Sequence, residues 1–320
     1  MSKRSKLREL IAAPEILVMP GVFDGYSTRL LGASGFAAGF VTGAGVSEAS
    51  LGWADQGIMG LEENLRVTRA LASCYEQPLI ADADTGYGNA VNVHFTVRAF
   101  DGAGLAGVMI EDQVWPKRCG HMKGKQVISA EEGAEKIRAA AEARLDPELL
   151  IMSRTDSLAT HGIDEVIKRL NMYAEAGADL LFADALLATD HITTVVKNVS
   201  KPVCVNMGFG IRQRSTTPLI SARRLQELGV AVVVYPRLLT AAAIQGMKNA
   251  IATLKESVES GDVIERPDLV VSFEELNDLV GIAELERIEQ RYLTPEQYQQ
   301  KYEHAAYEKT AVTTNPGAEL

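Results

Sequence analysis

Two carboxylates lie two residues apart in the segment ADADTGYG, residues 81–88, where a short apolar run ends. Alternate side chains of a strand point to the same side, so Asp82 and Asp84 would lie close together. Like charges at this separation repel each other unless a cation lies between them. A hard ion such as Mg²⁺ prefers oxygen ligands, and Glu111 and Asp112 after the next apolar run could complete its ligand set directly or through water. The alternative is that one aspartate caps a helix and the other accepts an ordinary hydrogen bond.

A reactive thiol is indicated in the segment EDQVWPKRCGHMKGK, residues 111–125. Cys119 follows two basic residues, one of which is Lys117, and precedes Gly120 and His121. Neighbouring positive charge favours the thiolate, so Cys119 could donate a proton or act as a nucleophile near neutral pH. A solvated basic loop is the alternative, but it does not explain a single cysteine so close to candidate metal ligands.

Two further motifs offer hydrogen-bond donors to an anion. The small residues of TGAG, residues 42–45, let backbone N–H groups approach a carboxylate or an enolate oxygen, although such turns are common. In SRTD, residues 153–156, Arg154 follows an apolar run and could hold a carboxylate through paired hydrogen bonds. These motifs predict a site for a small carboxylate.

Composition also favours a small molecule over a large anionic partner. The 320 residues are 47% hydrophobic, which is enough for a sizeable core, and the net charge of −10 disfavours binding to nucleic acid or to an anionic membrane. The N-terminus lacks the apolar segment of a secretory signal and no stretch is long enough to span a membrane, so the sequence predicts a cytoplasmic protein. Cys74 ends a predicted amphipathic helix and Cys204 alternates with valines, and both are predicted to be buried.

Eight short apolar runs must position these residues. Each is followed by a polar or glycine-rich turn and then by a helical pattern, which is typical of parallel β/α structure. Near-continuous apolar strands are expected where helices cover the outside and packed side chains fill the inside, so the sequence predicts an α/β fold, the (β/α)₈ TIM barrel. The runs are residues 16–24, 37–43, 78–84, 106–112, 149–156, 179–185, 202–207 and 230–236.

Polar residues end seven of the eight runs, and a barrel gathers its strand ends on one face. Some of these residues would cap the following helix, but capping does not readily explain all of them. The sequence therefore predicts an active site at this face. The residues are Asp24, Thr42, Asp82 with Asp84, Glu111 with Asp112, Arg154 with Asp156, Asp184 and Asn206.

The chain continues beyond the predicted barrel. A long helix is predicted over roughly residues 240–259, followed by two helical patterns that end near Ala305. We therefore predict a catalytic barrel domain at 1–258, a C-terminal helical extension at 259–306 and a disordered tail at 307–320. Extra helices of this kind either pack on the base of the barrel or reach a partner subunit.

The motifs, taken together, resemble a known family. The segments TGAGVSEASLGWADQG, ADADTGYGN, IEDQVWPKRCGH and MSRTD, in this order, are similar to the isocitrate lyase / phosphoenolpyruvate mutase superfamily. The similar branch contains 2-methylisocitrate lyase, 2,3-dimethylmalate lyase and carboxyphosphonoenolpyruvate mutase. The resemblance covers roughly residues 10–290, and KRCGH after a strand-end Glu-Asp pair is its most specific motif. It implies a barrel whose last helix is swapped between subunits, assembled as a homotetramer made of two dimers.

The resemblance also implies roles for individual residues. Mg²⁺, with Mn²⁺ as a substitute, would be bound by Asp84, and by Asp82 and Glu111 largely through water. The implied catalytic residues are Cys119 and His121 on the gating loop and Arg154 at a strand end, and Lys117, as a cation of the same loop, is a further catalytic candidate. The resemblance makes Thr42, Gly43, Ala44, Gly120 and Asn206 candidates for substrate binding and gives Asp55 a role in ordering the metal shell. Asp184 and Arg214 are further candidates for substrate binding, at positions where the sequence departs from the family.

Cleavage of a C–C bond beside a carboxylate is the reaction that the resemblance implies. A 2-hydroxy or 2-oxo acid would chelate Mg²⁺, and loss of the hydroxyl proton would break the adjacent C–C bond, giving a 2-oxo acid and an enolate-like fragment. Cys119 would protonate this fragment once the loop closes and excludes water. The base is left open, with His121 and a metal-bound hydroxide as candidates.

The substrate pocket departs from that of methylisocitrate lyases. Asp184 replaces a glutamate, and arginines that would bind a third carboxylate are absent near Ala241 and Phe273. A smaller C4–C6 substrate of the malate or oxaloacetate type is therefore expected, unless another arginine binds the third carboxylate. The candidates for that role are Arg212, Arg214 and Arg237, of which Arg214 is the first to test; the alternative is that Arg214 is a solvated loop arginine.

Other readings of the motifs stay open at the level of sequence. Within the same superfamily, the chain could be an oxaloacetate-type decarboxylase or C–C hydrolase, or a phosphonate-forming mutase. Cys119 argues against phosphoenolpyruvate mutases proper, which lack the loop cysteine, whereas the carboxyphosphonoenolpyruvate mutase branch shares this loop. A barrel that binds a metabolite without turnover is the alternative from a different class, and such a protein would have no need of the acid.

Overall fold

A closed barrel of eight parallel strands organises the computed structural model, which describes residues 1–214 and 216–302. Each strand pairs with the next in sequence and the last pairs with the first, so the sheet has no free edge. The strands are β1 (Leu17–Val22), β2 (Gly39–Val41), β3 (Leu79–Asp82), β4 (Gly107–Glu111), β5 (Leu150–Thr155), β6 (Leu180–Ala183), β7 (Val203–Asn206) and β8 (Val232–Tyr235).

Helices follow the strands and continue beyond them. In the described part of the chain they are α1 (Lys3–Ala12), α2 (Gly25–Ala33), α3 (Gly43–Leu51), α4 (Leu61–Ser73), α5 (Ala90–Gly102), α6 (Ala130–Glu142), α7 (Leu158–His161), α8 (Ile163–Glu175), α9 (Thr189–Asn198), α10 (Ala222–Glu227), α11 (Leu238–Ser260), α12 (Phe273–Leu279), α13 (Ile282–Tyr292) and α14 (Pro295–Tyr302).

The predicted barrel is confirmed, because each of the eight apolar runs contains one strand. The long helix expected over residues 240–259 is α11, and the two helical patterns after it form three helices, α12 to α14. Cys204 is buried inside the barrel as predicted, whereas Cys74 is only partly buried because it ends α4.

Two compact units divide the described chain: Met1–Leu269, and a second unit that begins at Val270. The second unit contains α12, which begins with a capping box between Ser272 and Glu275, together with α13 and α14. The domain boundaries at 258/259 and 306/307 and the swapped helix stay predictions. The tail predicted to be disordered, residues 307–320, lies outside the described residues.

Alternation along the strands separates an inner from an outer apolar layer. Every second residue packs inside the barrel, as Phe40, Ile80, Met109 and Phe182 do, and the residues between them pack against the helices. One step further along six strands, the inward residue is polar and lies at the carboxyl end. These residues are Thr42, Asp82, Glu111, Arg154, Asp184 and Asn206.

The opposite end of the barrel is closed by α1. Leu7 and Ile11 of this helix are buried against the barrel interior, and Arg4 pairs with Asp101 at 2.5 Å and with Asp146 at 2.6 Å. The polar layer at the carboxyl ends of the strands is therefore the open end. None of the helices within residues 1–214 and 216–302 is both long and apolar enough to cross a membrane.

Candidate active site

A pocket at the carboxyl ends of the strands, enclosing about 470 Å³ with its open mouth, collects most of the predicted site residues. Eleven of them line it: Thr42, Ala44, Asp55, Asp82, Cys119, Gly120, His121, Arg154, Asp184, Asn206 and Arg214. The other four are buried and do not contribute to the lining, namely Gly43, Asp84, Glu111 and Lys117. Apolar side chains missed by the site prediction complete the lining: Phe40, Met109, Phe182, Val234 and Pro236.

Three aspartates and a lysine form a buried charge cluster. Lys117 Nζ lies 2.5 Å from Asp55 Oδ1 and 2.7 Å from Asp84 Oδ1. Asp84 follows the end of β3 with a φ of 49°, and its N–H donates to Asp82 Oδ1 at 3.0 Å. Burial raises the pKa of Asp84 to about 7. The positive charge of Lys117 lowers this pKa, but the negative charges of Asp82 and Asp55 oppose the effect of Lys117. The cluster therefore holds more negative charge than one lysine balances.

Together with Glu111, this cluster fits a divalent cation. Both carboxylate oxygens of Asp84 and both of Glu111 are buried without a partner in hydrogen-bond geometry, and Lys117 and Arg154 reach them only as ion pairs. Unsatisfied buried carboxylate oxygens are costly, and a hard cation would satisfy them. Within the described residues, no three His, Cys, Asp or Glu side chains already form a complete metal-ligand group. Water would therefore have to supply part of the ligand set.

Asp112 lies outside this cluster, so the suggestion that it completes the metal ligands is wrong. Its carboxylate accepts hydrogen bonds from Thr155 Oγ1 at 2.7 Å, Tyr173 Oη at 2.9 Å and Arg169 Nη1 at 3.0 Å. Successive residues of a strand face opposite sides, and Glu111 and Asp112 therefore separate. Asp112 has a structural role between the barrel and its outer helices.

The loop that carries the cysteine is folded onto the strand ends. The Cys119 N–H donates to the Asp55 carbonyl at 3.1 Å, and Lys125 Nζ donates to the Gly120 carbonyl at 2.6 Å. Lys125 also pairs with Asp156 at 2.9 Å, which ties the loop to the end of β5. Sequence reasoning missed Lys125, although its place in the same loop as Cys119 could have indicated it.

Close packing explains the glycine beside the cysteine. A Cβ on Gly120 would overlap Asp184 Oδ2 and Arg154 Nη2 and would lie 2.8 Å from Asp184 Cγ. Arg154 is itself fixed, since Nη2 lies 2.8 Å from Asp184 Oδ2 and Nε lies 2.8 Å from Asp156 Oδ2. Burial opposes ionisation of Asp184, but the neighbouring positive charges, above all Arg154, hold its pKa well below the usual range. A charged pair thus forms a rigid wall for the loop.

The hydrogen-bond partners of His121 determine which of its ring nitrogens carries the proton. Its Nε2 lies 2.7 Å from Arg214 Nη1 and 3.3 Å from Asn206 Nδ2, and its Nδ1 lies 2.8 Å from Thr216 Oγ1. Guanidinium and amide N–H groups only donate, so Nε2 accepts and Nδ1 carries the proton. Burial lowers the pKa of His121, Asp184 opposes this shift and Arg214 adds to it. The imidazole is therefore neutral at pH 7, and its lone pair is engaged rather than free to act as the base.

The TGAG turn begins helix α3, which opens on the pocket. Thr42 Oγ1 accepts the Gly45 N–H at 3.3 Å and caps the helix. A Cβ on Gly43 would lie 2.9 Å from Asp82 Oδ2, so only glycine lets the helix start this close to the carboxylate. The N–H groups of the first turn and the helix dipole favour an anion beside Ala44.

Two of the three candidate arginines reach the pocket. Arg214 and Arg237 line it, whereas Arg212 is exposed and does not. Arg237 precedes α11, pairs with Glu48 of α3 and places Nη2 3.9 Å from Cys119 Sγ. Of the three arginines the sequence favoured Arg214, and it did not single out Glu48, although Glu48 lies in the segment TGAGVSEASLGWADQG.

The geometry agrees with comparisons to known proteins. Residues 7–255 match a family model described as phosphoenolpyruvate phosphomutase. The chain belongs to this family. The predicted resemblance to the isocitrate lyase / phosphoenolpyruvate mutase superfamily is thereby confirmed.

Curated relatives include carbon–carbon lyases. A 2,3-dimethylmalate lyase of Eubacterium barkeri is 37% identical over 92% of this chain and 99% of that protein. A 2-methylisocitrate lyase of Aeropyrum pernix is 35% identical over 88% of each chain. These relatives confirm the predicted enzyme class, a carbon–carbon lyase.

Solved structures share the fold over nearly the whole chain. Oxaloacetate acetylhydrolase in complex with 3,3-difluorooxalacetate superposes with a TM-score of 0.83 at 30% identity, covering 90% of this chain and 96% of the other. Phosphonopyruvate hydrolase in complex with oxalate and Mg²⁺ has a TM-score of 0.81 at 27% identity, covering 92% and 100%.

Proposed function

We propose that the protein is a Mg²⁺-dependent lyase that cleaves the C2–C3 bond of a 2-hydroxy dicarboxylate of the 2-alkylmalate type and releases a 2-oxo acid. One observation carries the proposal: a half-buried thiol, Cys119, and a carboxylate of the cation-ready cluster, Asp82, line the same small pocket. Cleavage of a C–C bond beside a carboxylate requires a proton donor and a cation that act on the same substrate.

The cation would be held by Asp84 and Glu111, whose buried carboxylates are reached only by the ion pairs with Lys117 and Arg154, with Asp82 beside them. When bound, Mg²⁺ would offset negative charge that develops on the substrate oxygens. Lys117 bridges Asp55 and Asp84 and holds both carboxylates in place at the buried end of the site.

Cys119 is the proton donor in this proposal. Its loop is held down by Lys125 and by the close contact of Gly120 with Asp184 and Arg154. This arrangement keeps bulk water from the carbon that leaves, so the thiol rather than solvent protonates it. His121 then orders the pocket through Arg214 and does not serve as the base.

The substrate's first carboxylate would lie at the N-terminus of α3. The N–H groups after Thr42 and the helix dipole favour a negative charge there. Arg154 is bound to Asp156 and Asp184 on the opposite wall, and it shapes the pocket and balances its charge.

A C–C hydrolase acting on oxaloacetate is the second candidate. The structural similarity to oxaloacetate acetylhydrolase, with a TM-score of 0.83, favours it. A hydrolase would use the same acid but would need a water molecule as nucleophile in the pocket.

A substrate panel tests the proposal. Purified protein with Mg²⁺ is assayed for release of 2-oxo acid from 2,3-dimethylmalate, other 2-alkylmalates and 2-methylisocitrate, and for release of oxalate from oxaloacetate. We expect turnover of at least one 2-alkylmalate, complete loss with EDTA, and recovery with Mg²⁺; Mn²⁺ is tested as the substitute ion.

Matched variants test the role of the thiol. Cys119→Ala should lower kcat by orders of magnitude, while Cys74→Ala, which changes a cysteine that does not line the pocket, should not. Full activity of Cys119→Ala would refute the assigned acid. If oxaloacetate is the only compound turned over, the lyase assignment is refuted and the hydrolase assignment is supported. The cytoplasmic location and the dimer of dimers with a swapped helix stay predictions.

A further inference from the structure

Arg214 and Arg237 both line the pocket, but their guanidinium groups are committed to different degrees. Arg214 donates through Nη1 to His121 Nε2 at 2.7 Å and to Asn206 Oδ1 at 3.2 Å, and through Nη2 to the Asn206 carbonyl. These acceptors are protein groups that hold it in place. Arg214 therefore has few donors left for a ligand and acts mainly as a support for His121 and Asn206.

The guanidinium of Arg237 forms an ion pair through one nitrogen and makes only a weak contact through another. Nη1 pairs with Glu48, which fixes the guanidinium, and Nη2 makes only a long contact of 3.9 Å with Cys119 Sγ. A thiol sulfur is a weak acceptor, so a carboxylate that entered the pocket would compete with it easily. The Glu48 side chain is 34% exposed, so solvent screens its charge and leaves the arginine able to bind an anion.

The proposed reaction requires a positively charged side chain close to the Cys119 thiol. Cleavage of a 2-alkylmalate breaks the C2–C3 bond and leaves its electron pair on C3, while the C2 hydroxyl loses its proton to a base and becomes the carbonyl of the 2-oxo acid. C3 takes the thiol proton of Cys119, and the thiolate is protonated again before the next turnover. C3 carries the second carboxylate, so this group must lie one bond from the atom that Cys119 protonates.

Arg237 meets this requirement. Among the cationic side chains of residues 1–214 and 216–302, Arg237 is the one that makes a hydrogen-bond contact with Cys119 Sγ. We propose that Arg237 binds the second carboxylate of the substrate and makes the enzyme specific for dicarboxylates. The inference rests on the proposed function and names the residue that selects its substrate class. A guanidinium beside this carboxylate also offsets the charge that spreads into it when the bond breaks.

Two ligands that differ in one group test the proposal. Malate and 2-hydroxybutyrate share the 2-hydroxy acid, but 2-hydroxybutyrate has a methyl group in place of the second carboxylate. Their dissociation constants are measured by calorimetry with Mg²⁺ present, and the ratio of 2-hydroxybutyrate to malate is compared among variants. In the wild type, we expect malate to bind roughly 10-fold to 100-fold more tightly, as a charged hydrogen-bonded pair predicts.

Arg237→Leu should reduce this ratio to about one, and Arg237→Lys, which keeps the charge but loses the paired geometry, should give an intermediate ratio. Arg212→Leu changes an exposed arginine outside the lining and should alter neither constant. Arg214→Leu should weaken both ligands alike and leave the ratio unchanged. Melting temperatures show that each variant is folded.

Two results would overturn the assignment. One is an unchanged ratio in Arg237→Leu, and the other is an equal loss of both ligands, since a structural role alone would produce it. Because the ratio compares dissociation constants and not reaction rates, failure of Arg237 is distinguishable from failure of the lyase assignment. If a 2-alkylmalate is turned over, Arg237→Leu should raise its KM at least 10-fold, whereas Cys119→Ala should act on kcat.

Discussion

Replacement of Gly120 by alanine should disable the loop without harming the barrel. The added Cβ would overlap Asp184 Oδ2 and Arg154 Nη2 and lie 2.8 Å from Asp184 Cγ, while carbon atoms in contact prefer about 3.5–4.0 Å. The loop must therefore retreat by roughly 1 Å, because Arg154 and Asp184 are fixed by their ion pair. A misplacement of about 1 Å costs on the order of 100-fold in rate, or about 2.7 kcal/mol of activation free energy.

Steady-state kinetics and limited proteolysis measure this effect. The kcat/KM of Gly120→Ala should fall on the order of 100-fold, with an unfolding free energy close to that of the wild type, because the loop adds little to the core. Trypsin should cut the displaced loop faster at Arg118 and Lys123. Gly102→Ala is the matched control, since a Cβ there meets no atom within 4 Å. A Gly120→Ala variant with wild-type kcat/KM and no faster cleavage would refute the closed packing of the loop.

Three further predictions follow from the charges of the site. Millimolar Mg²⁺ should raise the melting temperature of the wild type but not of Asp84→Ala, because an ion that binds only the folded state stabilises it; an equal rise in both would contradict the metal site. Burial lowers the pKa of His121 below its ordinary 6.5, so the unfolded chain takes up this proton first as pH falls. The contribution of His121 to stability is therefore complete above pH 6.5 and is lost as pH falls through the lowered pKa, a trend that chemical denaturation should detect in the wild type and find weaker in His121→Gln. Arg154→Met leaves buried carboxylates unpaired and should lower the free energy of unfolding by about 3–5 kcal/mol, whereas Arg138→Met breaks an exposed pair and should cost less than about 1 kcal/mol in the same denaturation assay; equal costs would contradict the buried network.

Much of the fold and of the site could be predicted because both follow from local patterns. An apolar run with helical sequence on either side favours a buried parallel strand, so the eight strands could be located by residue. A polar residue that ends such a run lies at the open face of a barrel wherever the strand stands in the order, and Thr42, Asp82 and Asn206 illustrate this. The same alternation could have separated Glu111 from Asp112, because neighbours on a strand face opposite sides.

Other features could not be predicted, because they depend on contacts between distant parts of the chain. The lone pair of His121 is engaged by Arg214, a residue 93 positions away, and this contact argues against His121 as the base. No pattern within the sequence specifies how far a loop after β7 reaches across the barrel mouth.

The sequence by itself determined the barrel, the Asp82 and Asp84 pair and the loop with Cys119, since each follows from residues that are adjacent or alternate along the chain. Only the tertiary structure decided which arginine meets the thiol. The sequence favoured Arg214 over Arg212 and Arg237, but the loop after β4 reaches across the barrel mouth to the end of β8, so that Arg237 and Cys119, 118 positions apart, come into contact. The physical reason is that side-chain type sets the chemistry of a residue, whereas the packed strands and helices set its neighbours.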